Sequence, residues 1–571
     1  MRITRRQFVI GSATTLGMIS SPVFSKLNSY SSSNPLYLDS NPDATFSILN
    51  RISYGATPAE QQRLSEMGLK KYLEYQLTPG SDKDNNCNER ISKQTLHIEY
   101  KAKEMKPGDK PEEYYPAMKE DRPLLNLGEP IEELWKLTDN KKVNYNEQIR
   151  PAQEVRAATW IRAIYSEWQL REVMVEFWHN HFNVNAFGDG KLGAVFPVHD
   201  AIMRKNCFGN FRKFLEEIAQ STAMLLYLNN AKSKASPANE NYARELFELH
   251  TLGADNYYNN LYNRWREVPG AVKGRPIGYI DQDVYEAARA FTGWTVEDGS
   301  NTGKGTTFPS TGKFTYFDGW HDNYQKRVLG NEFDPNSSPL SDGRKVLDLL
   351  ADHPGTANYL CKKLCRRLVA DEPPKSLLQR VVKTWIKYHR HPDQIKYVLR
   401  TVILSPEFAR TENRKVKRPF EFVASFLRAT GADFKPSEQL FNLLAEAGYK
   451  QFGWPTPTGH PDIADYWLNT NTTLQCWNII ASLVSGDIKN TIFDISKETP
   501  SDVKTSQQII IYWVKRLLGK EPNGDLTNAL MQYMPNPLAH DFVPDLHNND
   551  VNTSIQQMVA AIGMLPDFQV R

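Results

Sequence analysis

Apolar positions recur at helical spacing over most of the chain. Ala357, Leu360, Cys361, Leu364, Cys365 and Leu368 follow i, i+3, i+4, i+7, i+8, i+11, with Lys362, Lys363, Arg366 and Arg367 on the opposite face. That is an amphipathic helix with both thiols on its core side. The pattern turns helical from position 41, and Thr57-Pro58-Ala59-Glu60 reads as a capping box with proline at the first helical position. Patterning is strongest between 151 and 252, where it predicts helices over 151–166, 168–178, 196–205, 210–220 and 237–250. Another runs from Asp281 to Phe291 and ends at Gly293. Further helices are predicted over 343–351, 354–370, 374–388, 393–403, 417–430, 437–446 and 472–484.

Three stretches break the rhythm. Residues 80–150 carry dense mixed charge and prolines, and read as an irregular, exposed insertion with short helices. Residues 295–342 are rich in Gly, Ser, Thr, Asn and Pro, and Phe314 to Trp320 predicts a small β-hairpin there. Residues 449–469 form a Pro/Gly/Trp-rich loop. No fixed repeat and no alternation of strands and helices is present, so the expected fold is mainly α. It is one large multi-helix domain over 41–571 with a small β-hairpin insertion and long loops.

Composition narrows the function. The 571 residues are 40% hydrophobic and 24% charged, which excludes a disordered polymer and a small disulfide scaffold. The formal charge is +3, and Arg2, Arg5 and Arg6 account for the whole excess, because residues 1–25 hold no acid. The remainder is neutral and gives no electrostatic case for nucleic acid.

Residues 1–25 read as an export signal. The basic start is followed by an uncharged stretch from Phe8 to Val23, with Val23 and Ser25 as small residues before a cleavage point. Thr4-Arg5-Arg6-Gln7-Phe8-Val9 is similar to a twin-arginine signal, which carries folded proteins. A Sec signal or an uncleaved anchor is the alternative. Residues 26–40 are a Ser/Asn-rich tether. No later apolar run reaches the ~20 residues a membrane span needs. The expected location is periplasmic or secreted. Five cysteines, odd and scattered, make no disulfide framework.

Candidate chemistry lies between 176 and 250. In Glu176-Phe177-Trp178-His179-Asn180-His181, His179 and His181 converge on one ion only if the chain is extended there, since i and i+2 lie ~200° apart on a helix. A helix ending near Trp178 allows that, and such an imidazole pair suits a divalent transition metal. The ExxH spacing of Glu176 and His179 offers a different, helical arrangement. In the second group Asn241, Arg244, Glu245 and Glu248 form one polar stripe. Glu245 and Glu248 suit a cation or acid–base work, and Arg244 suits an anionic group. A salt-bridged surface face is the alternative, with His250 complementing the helix dipole. Asp318-Gly319-Trp320-His321-Asp322 sits on a turn, and His389-Arg390-His391 reads as surface. Gly459-His460-Pro461-Asp462, with Trp454 and Trp467 near, suits a pocket or a sugar ring. GxSxG, Walker A, HExxH and GxGxxG signatures are absent.

A family resemblance joins these motifs. Leu49-Asn50-Arg51-Ile52-Ser53-Tyr54-Gly55, Phe177-Trp178-His179-Asn180-His181-Phe182, Asn239-Glu240-Asn241-Tyr242-Ala243-Arg244-Glu245-Leu246 and His250-Thr251-Leu252-Gly253 carry it. So do Ala290-Phe291-Thr292-Gly293-Trp294, His353-Pro354, Lys363-Leu364-Cys365-Arg366 and Ser405-Pro406-Glu407-Phe408. The chain resembles the bacterial exported family known as domain of unknown function 1800 from about Asn41 to Trp477. It departs from the usual Leu-Asp-Asn of that family at Leu228-Asn229-Asn230. The resemblance implies envelope or extracellular work, with polysaccharide as a substrate class, and a co-encoded exported partner resembling sulfatases and phosphatases. It implies no mechanism. Two expectations follow. One is an exported metal-dependent hydrolase with His179 and His181 as ligands, Glu245 and Glu248 completing the set, and Arg244 orienting the substrate. The other is a non-catalytic envelope protein that binds a partner or polysaccharide through the 449–469 loop.

Overall fold

The computed structural model describes residues 43–80, 84–410 and 415–571. The expected signal at 1–25 and tether at 26–40 lie outside them. Helices dominate and the only sheets are small two-stranded antiparallel pairs among the described residues, so the fold is mainly α as the periodicity requires.

Six helices position the site. They are α1 (Tyr145–Tyr165), α2 (Gln169–His181), α3 (Gly190–Asn206), α4 (Glu240–Glu245), α5 (Pro354–Leu368) and α6 (Pro419–Thr430). Helix α6 is buried at every position, an all-round environment its Phe, Val, Ala and Leu content suits. Trp160 of α1 meets Phe420 of α6 edge to face, with ring centroids 4.6 Å apart. One hydrophobic cluster runs from Phe46 to Phe568. Cys361 and Cys365 sit in that cluster, fully buried, as the periodicity of α5 requires.

The Arg428 guanidinium of α6 bonds the Glu60 carboxylate and, at 2.7 Å, the carbonyl of Ile164. Glu60 therefore does not close the capping box by reaching back to a backbone amide. It accepts from the Thr57 hydroxyl instead, at 3.1 Å.

The structure corrects three expectations. The 80–150 region contains a hairpin, β1 (Thr95–Tyr100) with β2 (Met118–Pro123), where the pattern gave only short helices. Phe314 to Trp320 is not a hairpin. Phe314–Tyr316 ends β4 (Ser310–Tyr316), which pairs with β3 (Trp294–Asp298), and Asp318–Trp320 is a 3-10 turn. Helix α2 continues through His181 rather than stopping near Trp178. Among the described residues no helix is long and apolar enough to cross a membrane.

Candidate functional site

The continuation of α2 decides the fate of the histidine pair. On one helix His179 and His181 diverge. His179 Nε2 meets Asp200 Oδ1 of α3 at 2.9 Å. Asp200 also accepts from Arg204 Nε at 2.8 Å. Burial opposes its charge, but Arg204 and His179 outweigh burial and hold its carboxyl well below the usual range.

His181 turns the other way. Its Nε2 lies 3.1 Å from the carbonyl of His250, so Nε2 carries the proton. Nδ1 is then the acceptor, and Lys363 Nζ of α5 donates to it at 3.0 Å. Both ring nitrogens are engaged, and neither is free for a metal. Burial, with Lys363 and His250 adding to it, keeps this imidazole neutral. Glu176 does not join His179. It accepts from Arg418 Nη2 at 2.6 Å and from the Tyr449 hydroxyl at 3.3 Å. Among the described residues no group of three or more His, Cys, Asp or Glu side chains is arranged to hold a metal ion.

The second constellation is also reshaped. Helix α4 ends at Glu245, and Leu246–Thr251 continues as a π-turn. Leu252 N donates to Phe247 O, and the Thr251 hydroxyl to Leu246 O at 2.6 Å. The wider turn breaks the expected polar stripe. Arg244 pairs with Glu240 at 3.1 Å and Asp281 at 3.3 Å. Glu245 is half-buried, and burial, then Glu248, raises its carboxyl. No hydrogen bond or ion pair links Glu245 or Glu248 to His179 or His181 among the described residues. His250 does not complement a helix dipole as a cation. It is fully buried, neither ring nitrogen has a hydrogen-bond partner among the described residues, and burial pushes it down to about 3.

These motifs meet at a cavity of about 340 Å³ between α2, the π-turn, α5 and the 449–462 loop. Tyr359, Lys363 and Arg366 of α5 line it, together with Trp454, His460 and Asp462. Two asparagines of the histidine motif hold the loop in place. Asn180 Nδ2 donates to the His460 carbonyl at 2.8 Å, and its Oδ1 accepts from the His460 amide at 2.6 Å. Asn183 Nδ2 donates to the carbonyls of Trp454 at 3.1 Å and Thr456 at 2.7 Å. Gly459 makes the close approach possible. Its φ is +70°, and a Cβ there would lie 2.1 Å from the Asn180 carbonyl oxygen.

The His460 ring stacks on Tyr449, with centroids 4.3 Å apart, and leans on Trp454 at 4.6 Å. Its Nε2 is buried without a hydrogen-bond partner among the described residues, and burial, then Arg418, pushes it down to about 3. Trp467 lies behind His460 and donates to the Pro461 carbonyl at 2.7 Å.

The cavity floor is a buried ionic cluster. Arg418 joins Glu176, Arg367 pairs with Glu421, and Arg571 Nη2 reaches Glu421 at 3.3 Å. Asp462 is balanced by Lys415 at 2.9 Å, and Arg366 by Glu372 at 3.1 Å. Lys363 is different. No carboxylate lies within ion-pair distance of Nζ among the described residues, and its hydrogen bond goes to the neutral His181 ring. Burial pushes the ammonium down to about 8, opposed by Asp462 and assisted by Arg366.

Periodicity had placed Lys363 on the exposed face of its helix. The signal that could have found it was the Lys363-Leu364-Cys365-Arg366 motif itself. Asn180 and Asn183 were passed over because the flanking histidines drew the chemistry. His460 and Trp454 do line a pocket. His321 and Asp322 are buried structural groups, His321 Nδ1 on the Thr292 carbonyl at 2.8 Å and Asp322 on Arg289 at 2.7 Å.

No curated protein and no solved structure matches the chain. A family model does, over residues 47–570, and on that match the chain belongs to the family described as protein of unknown function, DUF1800.

Proposed function

We propose that this is an exported envelope or extracellular protein that binds an acidic saccharide in the cavity between α2, α5 and the 449–462 loop. The observation that carries the reading is Lys363, a half-buried cation that faces a cavity with no carboxylate in ion-pair contact among the described residues. An anionic ligand supplies that partner. Trp454 and Tyr359 offer aromatic faces for a sugar ring, and Arg366 adds positive charge at the same wall. The cavity falls within the roughly 300–1,000 Å³ of small-ligand sites. Export rests on the Arg5-Arg6 signal. A co-encoded sulfatase- or phosphatase-like partner would act on esters of the same kind of saccharide. The reading uses no divalent metal, because the imidazoles proposed as ligands are directed to different protein groups.

Calorimetry with D-glucuronate and with glucose tests it. Glucuronate is expected to bind and glucose to bind far more weakly. Lys363→Met is expected to weaken glucuronate at least ~10-fold, the scale of one charge-assisted hydrogen bond. Equal affinity for the two sugars overturns the reading. Fusion of residues 1–40 to a reporter, with and without Arg5→Lys plus Arg6→Lys, tests export.

A further inference from the structure

Lys363 is placed for more than holding an anion. A lysine shifts its pKa readily when buried, which is how lysines come to serve as bases and imine-forming amines. Here Nζ sits in a cavity wall beside Arg366 and Arg367, with Arg418 on the same cavity. It bonds a neutral imidazole and sits over the Tyr359 ring, whose centroid is 5.4 Å away, and Asp462 and Glu176 line the same cavity outside ion-pair distance of it. Desolvation in a cavity wall, with no carboxylate in ion-pair contact among the described residues, is an arrangement that makes a lysine amine nucleophilic. The nearest opposing influence, Asp462, is already bonded to Lys415.

His181 supplies the orientation. Its tautomer is set by the His250 carbonyl, so Nδ1 always presents a lone pair to Lys363. One N–H of the neutral amine is held on that lone pair. The second N–H and the nitrogen lone pair are left for the cavity. His460 lines the same cavity and presents a stacked ring whose Nε2 has no partner among the described residues.

We infer that Lys363 is a reactive amine that forms an imine with the carbonyl carbon of an anionic ligand, an oxo acid such as an aldehydic or 2-oxo sugar acid. This rests on the acidic-saccharide reading of the same cavity. The Nζ lone pair forms the N–C bond, and one amine hydrogen moves to the former carbonyl oxygen. The C–O bond then breaks, and that oxygen leaves as water with the second amine hydrogen. Protonation from solvent gives the iminium, whose N–H is directed at His181 Nδ1. No electrons are gained or lost overall. Lys363 is the catalytic residue in this scheme, and His181 is a positioning residue.

Reductive trapping tests it. The intact protein is treated with glyoxylate, the smallest aldehydic acid, and cyanoborohydride, and the modified lysines are mapped by mass spectrometry. Lys363 is expected to be carboxymethylated at least ~10-fold faster than Lys362 on the same helix, from its larger neutral fraction at pH 7. Lys363→Arg removes the fast label, and His181→Gln slows it in protein that retains its circular dichroism. Glucuronate in excess is expected to protect Lys363. If Lys363 is labelled no faster than Lys362, the inference fails. If it is slow while glucuronate still binds by calorimetry, the inference alone has failed. If it is fast but glucuronate neither binds nor protects, the saccharide reading has failed instead.

Discussion

His181 stands between two segments distant in sequence, accepting from Lys363 Nζ at 3.0 Å and donating to the His250 carbonyl at 3.1 Å. One imidazole thus ties α5 to the end of the π-turn. Replacing it with phenylalanine leaves a buried carbonyl and a half-buried ammonium without partners. His181→Phe is expected to lower the unfolding free energy by about 2–3 kcal/mol, read from urea denaturation, and to abolish glucuronate binding.

The loop that closes the cavity depends on Asn180. Asn180→Asp keeps an acceptor for the His460 amide but sets a carboxylate oxygen against the His460 carbonyl. Hydrogen exchange is expected to speed up at amides of 454–462 while α2 stays protected. Gly459→Ala should be more severe, because its Cβ meets backbone and its φ is left-handed. A loss of about 2 kcal/mol or more in stability, with loss of ligand affinity, is expected.

Acid should destabilise the protein through its buried imidazoles. His199, His250 and His460 are each pushed down to about 3 from 6.5, burial being the first cause in all three. Their contribution is complete above pH 6.5 and is lost as pH falls toward 3, because the unfolded chain takes up protons that the folded chain refuses. At pH 5 each costs about 2 kcal/mol. Asp283, raised by burial to about 6 from 3.8, acts oppositely and gains as pH falls through 6. His181 and His353 are lowered as well, and these imidazoles outweigh the raised carboxyls of Asp283, Glu154 and Glu245, so Tm is expected to fall from pH 7 to pH 5. A flat Tm over that range would contradict the neutral imidazoles.

Glu421 serves three guanidiniums, those of Arg367, Arg418 and Arg571. Glu421→Gln leaves them with Glu176 as the remaining buried carboxylate of that cluster. A loss of about 3–5 kcal/mol is expected from chemical denaturation, the usual cost of stranding buried charge.

Arg244 gives the contrasting case. Its pairs with Glu240 and Asp281 are partly exposed. Arg244→Ala is expected to change stability by less than about 1 kcal/mol and to leave glucuronate affinity unchanged. A large loss of binding would return Arg244 to the site the sequence suggested.

The helical architecture was legible because burial in this fold follows a local period, as α5 shows with Cys361 and Cys365 inward. The β1–β2 hairpin was not, because β2 reads Met-Lys-Glu-Asp-Arg-Pro and buries none of those residues fully, so no alternation marks it. The site was legible in its parts and not in its assembly. His181, His460 and Trp454 stood out by residue type. Their partners did not, because Lys363 is 182 residues from His181 and His460 is 280 from Asn180. A spacing rule looks along one segment, and this cavity is closed by contacts between four. The π-turn also escaped, since Leu246 to Thr251 carries the same apolar rhythm an α-helix would.

That turn makes segment length, rather than side-chain identity, the sensitive variable. A π-turn is an α-helix with one residue too many. Deleting one residue from Leu246–Thr251 would restore ordinary winding and rotate everything after it by about 100°. The His250 carbonyl would swing away from His181, Leu249 would leave the cavity wall, and Gly253 would lose its close approach to Tyr359. A single-codon deletion there would dismantle a wall of the cavity without touching Lys363, His460 or Trp454.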